Sequence, residues 1–288
     1  MTAVPQRAPP DFSPRLRNPA KERMHAGELA LGLIVRVARS PEIARIARAT
    51  NHDFLFIDGQ HAAFSPETVG GIAHAAHGSG VAPIVRVRGF ADPDIPLLLD
   101  AGATGIIIPD VNTPEEARLA ARACKFPPLG KRSLPGPLSL LDFAQLPAQE
   151  AARTVNDATL LICMIETMEG VANAEAIAAV EGVDVLHVGC VDLLLDMGKP
   201  EGFGDPDAMA AVGRVISAAR SAGKFAGVGG DRDADRQAHF IRQGARFLTT
   251  HTDTALLMAE GARLTAQLRG LRRCAPDQGT TAQEGRNS

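Results

Sequence analysis

The sequence predicts an α/β protein built as a single (β/α)8, or TIM, barrel, and three observations carry that prediction. Eight short, apolar, β-branched runs alternate with Ala-rich helical segments, the pattern of a parallel sheet covered by helices. The length, 288 residues, suits one such barrel. No G-x-G-x-x-G follows the first run, so the dinucleotide signature of an open doubly wound sheet is missing.

In chain order the predicted strands are Leu31–Val35, Phe54–Ile57, Ile84–Val87, Gly105–Ile108, Leu160–Ile165, Val183–Val188, Phe225–Val228 and Arg246–Thr249. The helices between them are expected to begin near Pro41, Pro66, Pro93, Thr113, Glu169, Asp207, Asp233 and Thr254, several of which are first-turn or capping residues. Residues 1–24, Pro- and Arg-rich at their start, read as a flexible lead-in, 25–271 as the barrel and 272–288 as a polar tail. The longest connection, Phe126 to Asn156, is expected to carry an extra helix around Leu138–Arg153 and to help build the active-site rim.

Composition narrows the function. The chain is 45% hydrophobic and 22% charged with net charge −3, which excludes a basic nucleic-acid footprint. No run reaches the roughly 18 apolar residues of a spanning helix, and the first residues lack the apolar core of a secretion signal. Four cysteines without C-x-x-C spacing point to free thiols in the cytoplasm.

In a barrel, chemistry collects at the carboxyl ends of the strands. There the sequence places Asp58 and His61 after strand two, Arg86 in strand three, Glu166 after strand five and Asp192 after strand six. Two carboxylates on neighbouring strand ends repel unless a cation joins them, and two carboxylates plus waters suit Mg²⁺, Mn²⁺ or Co²⁺. The competing reading makes each a helix cap. Arg86, inside an apolar strand, needs a ligand or an ion pair with Asp58 or Asp100. His61 is a candidate proton carrier, and His251 a candidate rim residue. His187 reads as a satisfied core histidine, while His74 and His77 fall on a helix. Gly227-Val-Gly-Gly230 fits either anion approach or a tight turn. No lysine stands at a strand's carboxyl end, Lys224 opening strand seven at the other end, so an imine mechanism is not expected.

Several segments carry a family resemblance: Phe56-Ile-Asp-Gly-Gln-His61, Pro83-Ile-Val-Arg86, Leu99-Asp-Ala-Gly-Ala103, Ile108-Pro-Asp-Val-Asn-Thr-Pro-Glu-Glu-Ala-Arg118, Pro127-Pro-Leu-Gly-Lys-Arg132, Ile165-Glu-Thr167 and Val180-Glu-Gly-Val-Asp184. From about Gly32 to about Leu268 the chain resembles the HpcH/HpaI aldolases, metal-dependent class II pyruvate aldolases of the 4-hydroxy-2-oxoheptanedioate aldolase type. The resemblance implies Glu166 and Asp192 as ligands of a divalent metal. It implies Arg86 on the keto oxygen of pyruvate, His61 in proton transfer with Asp58 and Asp100 orienting groups around it, and the Gly189, Cys190, Val191 and Asp192 backbone on the pyruvate carboxylate. It further implies a hexamer, a trimer of dimers, exchanging a C-terminal helix over 253–269.

The chain departs from that pattern at Gln60, where relatives carry Glu, and at Met164, where they carry Gln. It also departs at Cys190-Val191 for Pro-Ala, Leu194 for Ser and His251 for Gly. Met164 and Cys190 make the pocket more apolar. The expected function is a lyase joining or separating pyruvate, or a related 2-oxo acid, and an aldehyde. A related synthase of citrate-synthase or macrophomate-synthase type, or a weakly catalytic 2-oxo acid binder, stands as the alternative.

Overall fold

Alternation along each strand sorts the side chains into two cores. The computed structural model describes residues 16–271. Its strands are β1 (Ala30–Val35), β2 (Phe54–Asp58), β3 (Ala82–Arg86), β4 (Gly105–Ile108), β5 (Leu160–Ile165), β6 (Val185–Gly189), β7 (Phe225–Gly229) and β8 (Ala245–Thr252). All pair in parallel and in chain order, and β8 closes on β1. The expected barrel is therefore present, with strand boundaries shifted by at most a few residues.

Inside the barrel, Phe54, Phe56, Ala82, Ile84, Ile107, Leu160, Ile162, Met164, Val185 and Phe247 pack together. The intervening residues, such as Leu55, Ile57, Ile106, Leu161 and Leu186, pack outward against helices. Phe54 stacks on Phe247 with ring centroids 4.2 Å apart. Gly32, its β1 neighbour in register, leaves the room: a Cβ there would lie 2.0 Å from the Phe54 ring. Because the inner face recurs every second residue, Asp58, Arg86, Glu166 and His187 follow Phe56, Ile84, Met164 and Val185 on that face, toward the carboxyl end.

The outer layer comprises α2 (Ile43–Ala49), α3 (Pro66–Ser79), α4 (Ile95–Asp100), α5 (Pro114–Cys124), α7 (Met168–Ala172), α8 (Ala174–Ala178), α10 (Pro206–Ser221) and α11 (Ala234–Gln243). A short α9 (Cys190–Asp196) follows β6 directly. Local chemistry sets many of the starts. Ser65 accepts the Thr68 N–H, Thr113 forms a capping box with Glu116, Asp205 accepts two amide N–H groups and Asp233 accepts that of Arg236. None of the described helices is long and apolar enough to cross a membrane.

Two expectations are corrected. Residues 1–15 and 272–288 lie outside the described residues, but Pro19–His25, assigned to the lead-in, forms α1. Ala20 and Met24 join the inner core. Asn18 is buried: its Oδ1 accepts the Lys21 N–H at 3.1 Å, and its Nδ2 donates to the carbonyls of Thr104 and Ala158, both at 2.9 Å. These carbonyls stand one residue before β4 and two before β5, so α1 closes the amino-end mouth. The connection after Phe126 follows α5, not β4, and so it lies at the same amino end, away from the strand carboxyl ends. It packs Phe126, Leu138, Leu141, Ala151 and Val155 into a satellite core, and its helix is α6 (Ala148–Ala158) rather than 138–153.

The last helix, α12 (Asp253–Leu271), starts on a buried anchor. Asp253 accepts the backbone N–H groups of Arg36, Val37 and Ala38 at 2.9–3.0 Å. From Leu256 to Gly270 every residue is exposed, including Leu257, Met258 and Leu268, so the apolar stripe over 255–268 is not core within this chain.

Asn18→Ala removes two donors from buried carbonyls and one cap acceptor. It should lower stability by about 2–4 kcal/mol in urea unfolding; a loss under about 0.5 kcal/mol would show that α1 does not close the barrel.

Candidate active site

Several parts of the carboxyl-end mouth contribute, and the β2–β3 part is the most fully hydrogen-bonded. Asp58 has no exposed surface. It accepts Arg86 Nε at 3.0 Å and Nη2 at 2.7 Å, Arg36 Nε at 2.7 Å, and the backbone N–H groups of Gln60 and His61. Gly59 permits the turn, since a Cβ there would stand 2.7 Å from the Arg86 carbonyl. Burial alone would push the Asp58 carboxyl up, but the hydrogen bonds and charge of Arg86, with those of His61 N–H and Arg36, hold it below the usual range. Asp58 thus positions other groups. Arg86 is both paired and presented: it is 5% exposed, packs over Phe56, and lines the mouth cavity with its Nη1 free of protein partners among the described residues. The His61 imidazole is exposed to the same cavity.

Across the barrel, Glu166 and Asp192 face the cavity. Neither caps a helix: Thr167 caps α7, and Asp192 lies inside the first turn of α9. Glu166 Oε2 accepts the Asp110 N–H at 3.0 Å, and no side-chain cation pairs with it among the described residues. Burial pushes its carboxyl up to about 7; the Asp110 N–H draws it back, while the charges of Asp110 and Asp192 add to the rise. Gly189 forms a cradle for this group, because a Cβ there would sit 2.3 Å from Glu166 Oε1.

A buried, unpaired carboxylate seated on a glycine beside a second carboxylate fits a hard divalent cation. Among the described residues no group of three or more His, Cys, Asp or Glu side chains converges as a metal cage. Two carboxylates suit an ion that keeps several waters, such as Mg²⁺, better than a structural zinc.

The cavity, about 430 Å³, is lined by His61, Arg86, Met164, Glu166, His187, Gly189–Asp192, Arg232 and His251 among others. A larger depression of about 970 Å³ at the amino end also carries charged groups, but the acids Glu22, Glu28 and Asp53 there are paired with Arg17 and Arg23. Of the predicted rim residues, Met164 and His251 reach the cavity, whereas Gln60 lines a neighbouring depression with its Oε1 buried and unpartnered. Cys190 is buried, its thiol pushed up to about 12 chiefly by burial, so it contributes bulk rather than a nucleophile. Asp100 is not brought to this mouth. It ends α4, at the amino end, where Arg132 Nη2 donates to it at 2.6 Å, because a barrel helix runs opposite to its strands.

Three lining residues, Arg36, His187 and Arg232, were not singled out from sequence as functional. His187 is buried, but not satisfied as expected: its Nδ1 has no partner. Burial first, then the charges of Arg86 and Arg232, push it down to about 3, so the ring is neutral. Gly227 and Gly229 make its space, since Cβ atoms there would lie 2.5 Å and 2.7 Å from its ring nitrogens; the glycine run thus serves packing on His187. Arg232 follows that run, and its Nη1 donates to the Thr249 carbonyl at 2.7 Å. The period of two would have placed His187 on the inner face beside Gly189. Nothing local would have aimed Arg232.

The chain is similar to known proteins along most of its length. The HpcH/HpaI aldolase/citrate lyase family model matches residues 34–259. The chain is 37% identical over 250 residues to a 4-hydroxy-4-methyl-2-oxoglutarate aldolase of Hapsidospora irregularis, covering 83% of this chain and 90% of the relative. It is 32% identical over 253 residues to a hydroxypyruvate/pyruvate aldolase of Pseudomonas aeruginosa, covering 88% and 93%. The crystal structure of an HpcH/HpaI aldolase from Desulfitobacterium hafniense superimposes with TM-score 0.81 at 29% identity, covering 86% of this chain and 96% of that one.

A carboxyl raised by folding stabilises the protein below its unfolded value of 4.5, and that contribution is lost as pH rises through about 7. In cation-free buffer, stability relative to Glu166→Gln should therefore fall between about pH 5 and 8, by on the order of 3 kcal/mol. Parallel pH profiles from thermal melts of the two proteins would refute the buried, unpaired state of Glu166.

Proposed function

This chain belongs to the HpcH/HpaI aldolase/citrate lyase family, a carbon–carbon lyase among relatives named as aldolases, and we propose that it is a divalent-cation-dependent aldolase of 4-hydroxy-2-oxo acids. It cleaves them to pyruvate, or a related 2-oxo acid, and a carbonyl fragment, and runs the reverse addition. The observation that carries this reading is the buried, unpaired Glu166 carboxylate beside Asp192, facing an Arg86 locked by Asp58.

Glu166 and Asp192 would hold a Mg²⁺, Mn²⁺ or Co²⁺ ion, which would supply Lewis-acid polarisation of the 2-oxo group. The chain's own groups do the rest. Backbone N–H groups of Gly189–Asp192 receive the 2-oxo acid carboxylate. Arg86 Nη1 donates to the C2 oxygen, where negative charge grows as the C3–C4 bond breaks. The electron pair of that bond moves into C2–C3, C4 leaves as a carbonyl, and its hydroxyl proton passes to His61. Water then supplies the proton at C3 that completes pyruvate, and His61 returns its proton to solvent. Asp58 keeps Arg86 from rotating away, so its donor is already placed when charge develops. Met164 and Cys190 line the cavity as buried apolar side chains and limit water near the reacting carbons, whereas Leu194 packs away from it beside Phe203 and Phe240. Among the described residues no lysine lines the cavity, which supports a mechanism without an imine.

The exposed apolar residues of α12 support its exchange between subunits in a hexamer, a trimer of dimers. The free, buried thiols of Cys124, Cys163 and Cys190 fit a reducing cytoplasm.

Arg86→Ala should leave cation binding in place and slow deuterium exchange into the pyruvate methyl group by about 100-fold or more. Exchange as fast as in the unaltered protein would mean that Arg86 does not stabilise charge at the C2 oxygen. Chelation should abolish the same exchange in the unaltered protein, and added Mn²⁺ should restore it.

A further inference from the structure

Arg232 is a cation the proposed chemistry leaves unused. It follows β7, is half-buried, and lines the mouth cavity. Its Nη1 is held by Thr249, through the carbonyl at 2.7 Å and Oγ1 at 3.4 Å. The acids near it are already committed: Asp231 takes Arg236 through two hydrogen bonds of 2.6 Å and 2.8 Å, and Asp233 caps α11. No ion pair forms at Arg232 among the described residues, and its Nε and Nη2 have no protein acceptor there. Burial pushes its guanidinium down from the ordinary value. A partly desolvated guanidinium without an anion is costly unless a ligand completes it.

Position and charge indicate which ligand. The acids Glu166 and Asp192 belong to β5 and β6, whereas His251, Arg36 and His61 continue from Arg232 around β8, β1 and β2. A 2-oxo acid seated between Glu166 and Arg86, with its C4 oxygen at His61, extends its far end over that basic arc. Three guanidinium groups, on Arg36, Arg86 and Arg232, are balanced by the three carboxylates of Asp58, Glu166 and Asp192. The divalent cation then leaves two positive charges. A monoanionic substrate cancels one of them and a dianion cancels both.

We propose that Arg232, with His251 beside it, is a second anion subsite that takes a carboxylate on the acceptor half of the substrate. The preferred substrates are then 4-hydroxy-2-oxo dicarboxylic acids, and the carbonyl fragment released is itself an oxo acid. This rests on the Glu166–Arg86 centre being the 2-oxo acid site.

The test compares two pairs of compounds that differ only in a terminal carboxylate or methyl group. For turnover the pair is 4-hydroxy-2-oxoglutarate and 4-hydroxy-2-oxopentanoate. For binding without turnover it is 2-oxoglutarate and 2-oxopentanoate, titrated calorimetrically in the presence of Mn²⁺. The unaltered protein should favour the dicarboxylate of each pair by about tenfold or more, and Arg232→Met should erase that preference, a loss of roughly 10–100-fold. Arg232→Lys, which keeps the charge, should retain part of it, and melting temperatures confirm that both variants fold. Equal weakening of both members of a pair would place Arg232 on the shared carboxylate and overturn the proposal, as would an unchanged preference. Dicarboxylate-selective binding without cleavage of either substrate would sink the aldolase reading and leave the subsite standing. Cleavage of both substrates without preference would do the reverse.

Discussion

Asp58 is a carboxylate with no exposed surface that holds Arg86 by two hydrogen bonds, Arg36 by a third and the 60–61 backbone by two more. The β2 turn, the guanidinium of β3 and the first residue after β1 all depend on that one group. Taking an acid out of water is expensive, and the cost is offset only because every side of the carboxylate meets a donor. Removing it would strand two cations in the mouth of the barrel. The arrangement also fixes the Arg86 guanidinium in one orientation at the mouth of the barrel.

Opposite this saturated acid stands an unsaturated one. Glu166 is about as buried, yet it receives a single backbone N–H and no side-chain cation. The contrast between two inward-facing carboxylates in one barrel is one of partners: Asp58 is met by donors on every side, and Glu166 is left without a side-chain cation among the described residues. Gly189 enforces that difference sterically, because any side chain there would displace the Glu166 carboxylate. Gly227 and Gly229 do the same for the neutral His187 ring. Glycine on an inner strand face of this barrel marks where a neighbouring side chain needs the space, whether the Phe54 ring beside Gly32 or the polar groups of Glu166 and His187.

The eight strands and most helix starts were legible because their signals are local. Alternating β-branched runs, and Ser65, Thr113, Asp205 or Asp233 one position before a helix, act over a few residues whatever the tertiary context. The inward set Asp58, Arg86 and Glu166 was legible for the same reason, since a period of two follows from the pleat. Less was readable where a segment gains its structure from distant partners. Pro19–His25 has too few apolar residues to signal a helix, and it forms because Asn18 reaches carbonyls 86 and 140 residues away. The connection after Phe126 was misplaced because the end of the barrel it occupies depends on following α5, and the extra helix α6 hid that.

By itself the sequence determined the barrel, its family and the residue types at the strand ends, because backbone periodicity and short motifs are properties of contiguous chain. Only the tertiary structure decided which of those residues meet. It gave Asp58 to Arg86 and Arg36, left Glu166 without a cation, sent Asp100 to Arg132 at the far end, and brought His187 and Arg232 to the cavity. The reason is that an ionisable group takes its character from whatever charge and burial surround it, and in a closed barrel those surroundings come from strands scattered along the whole chain.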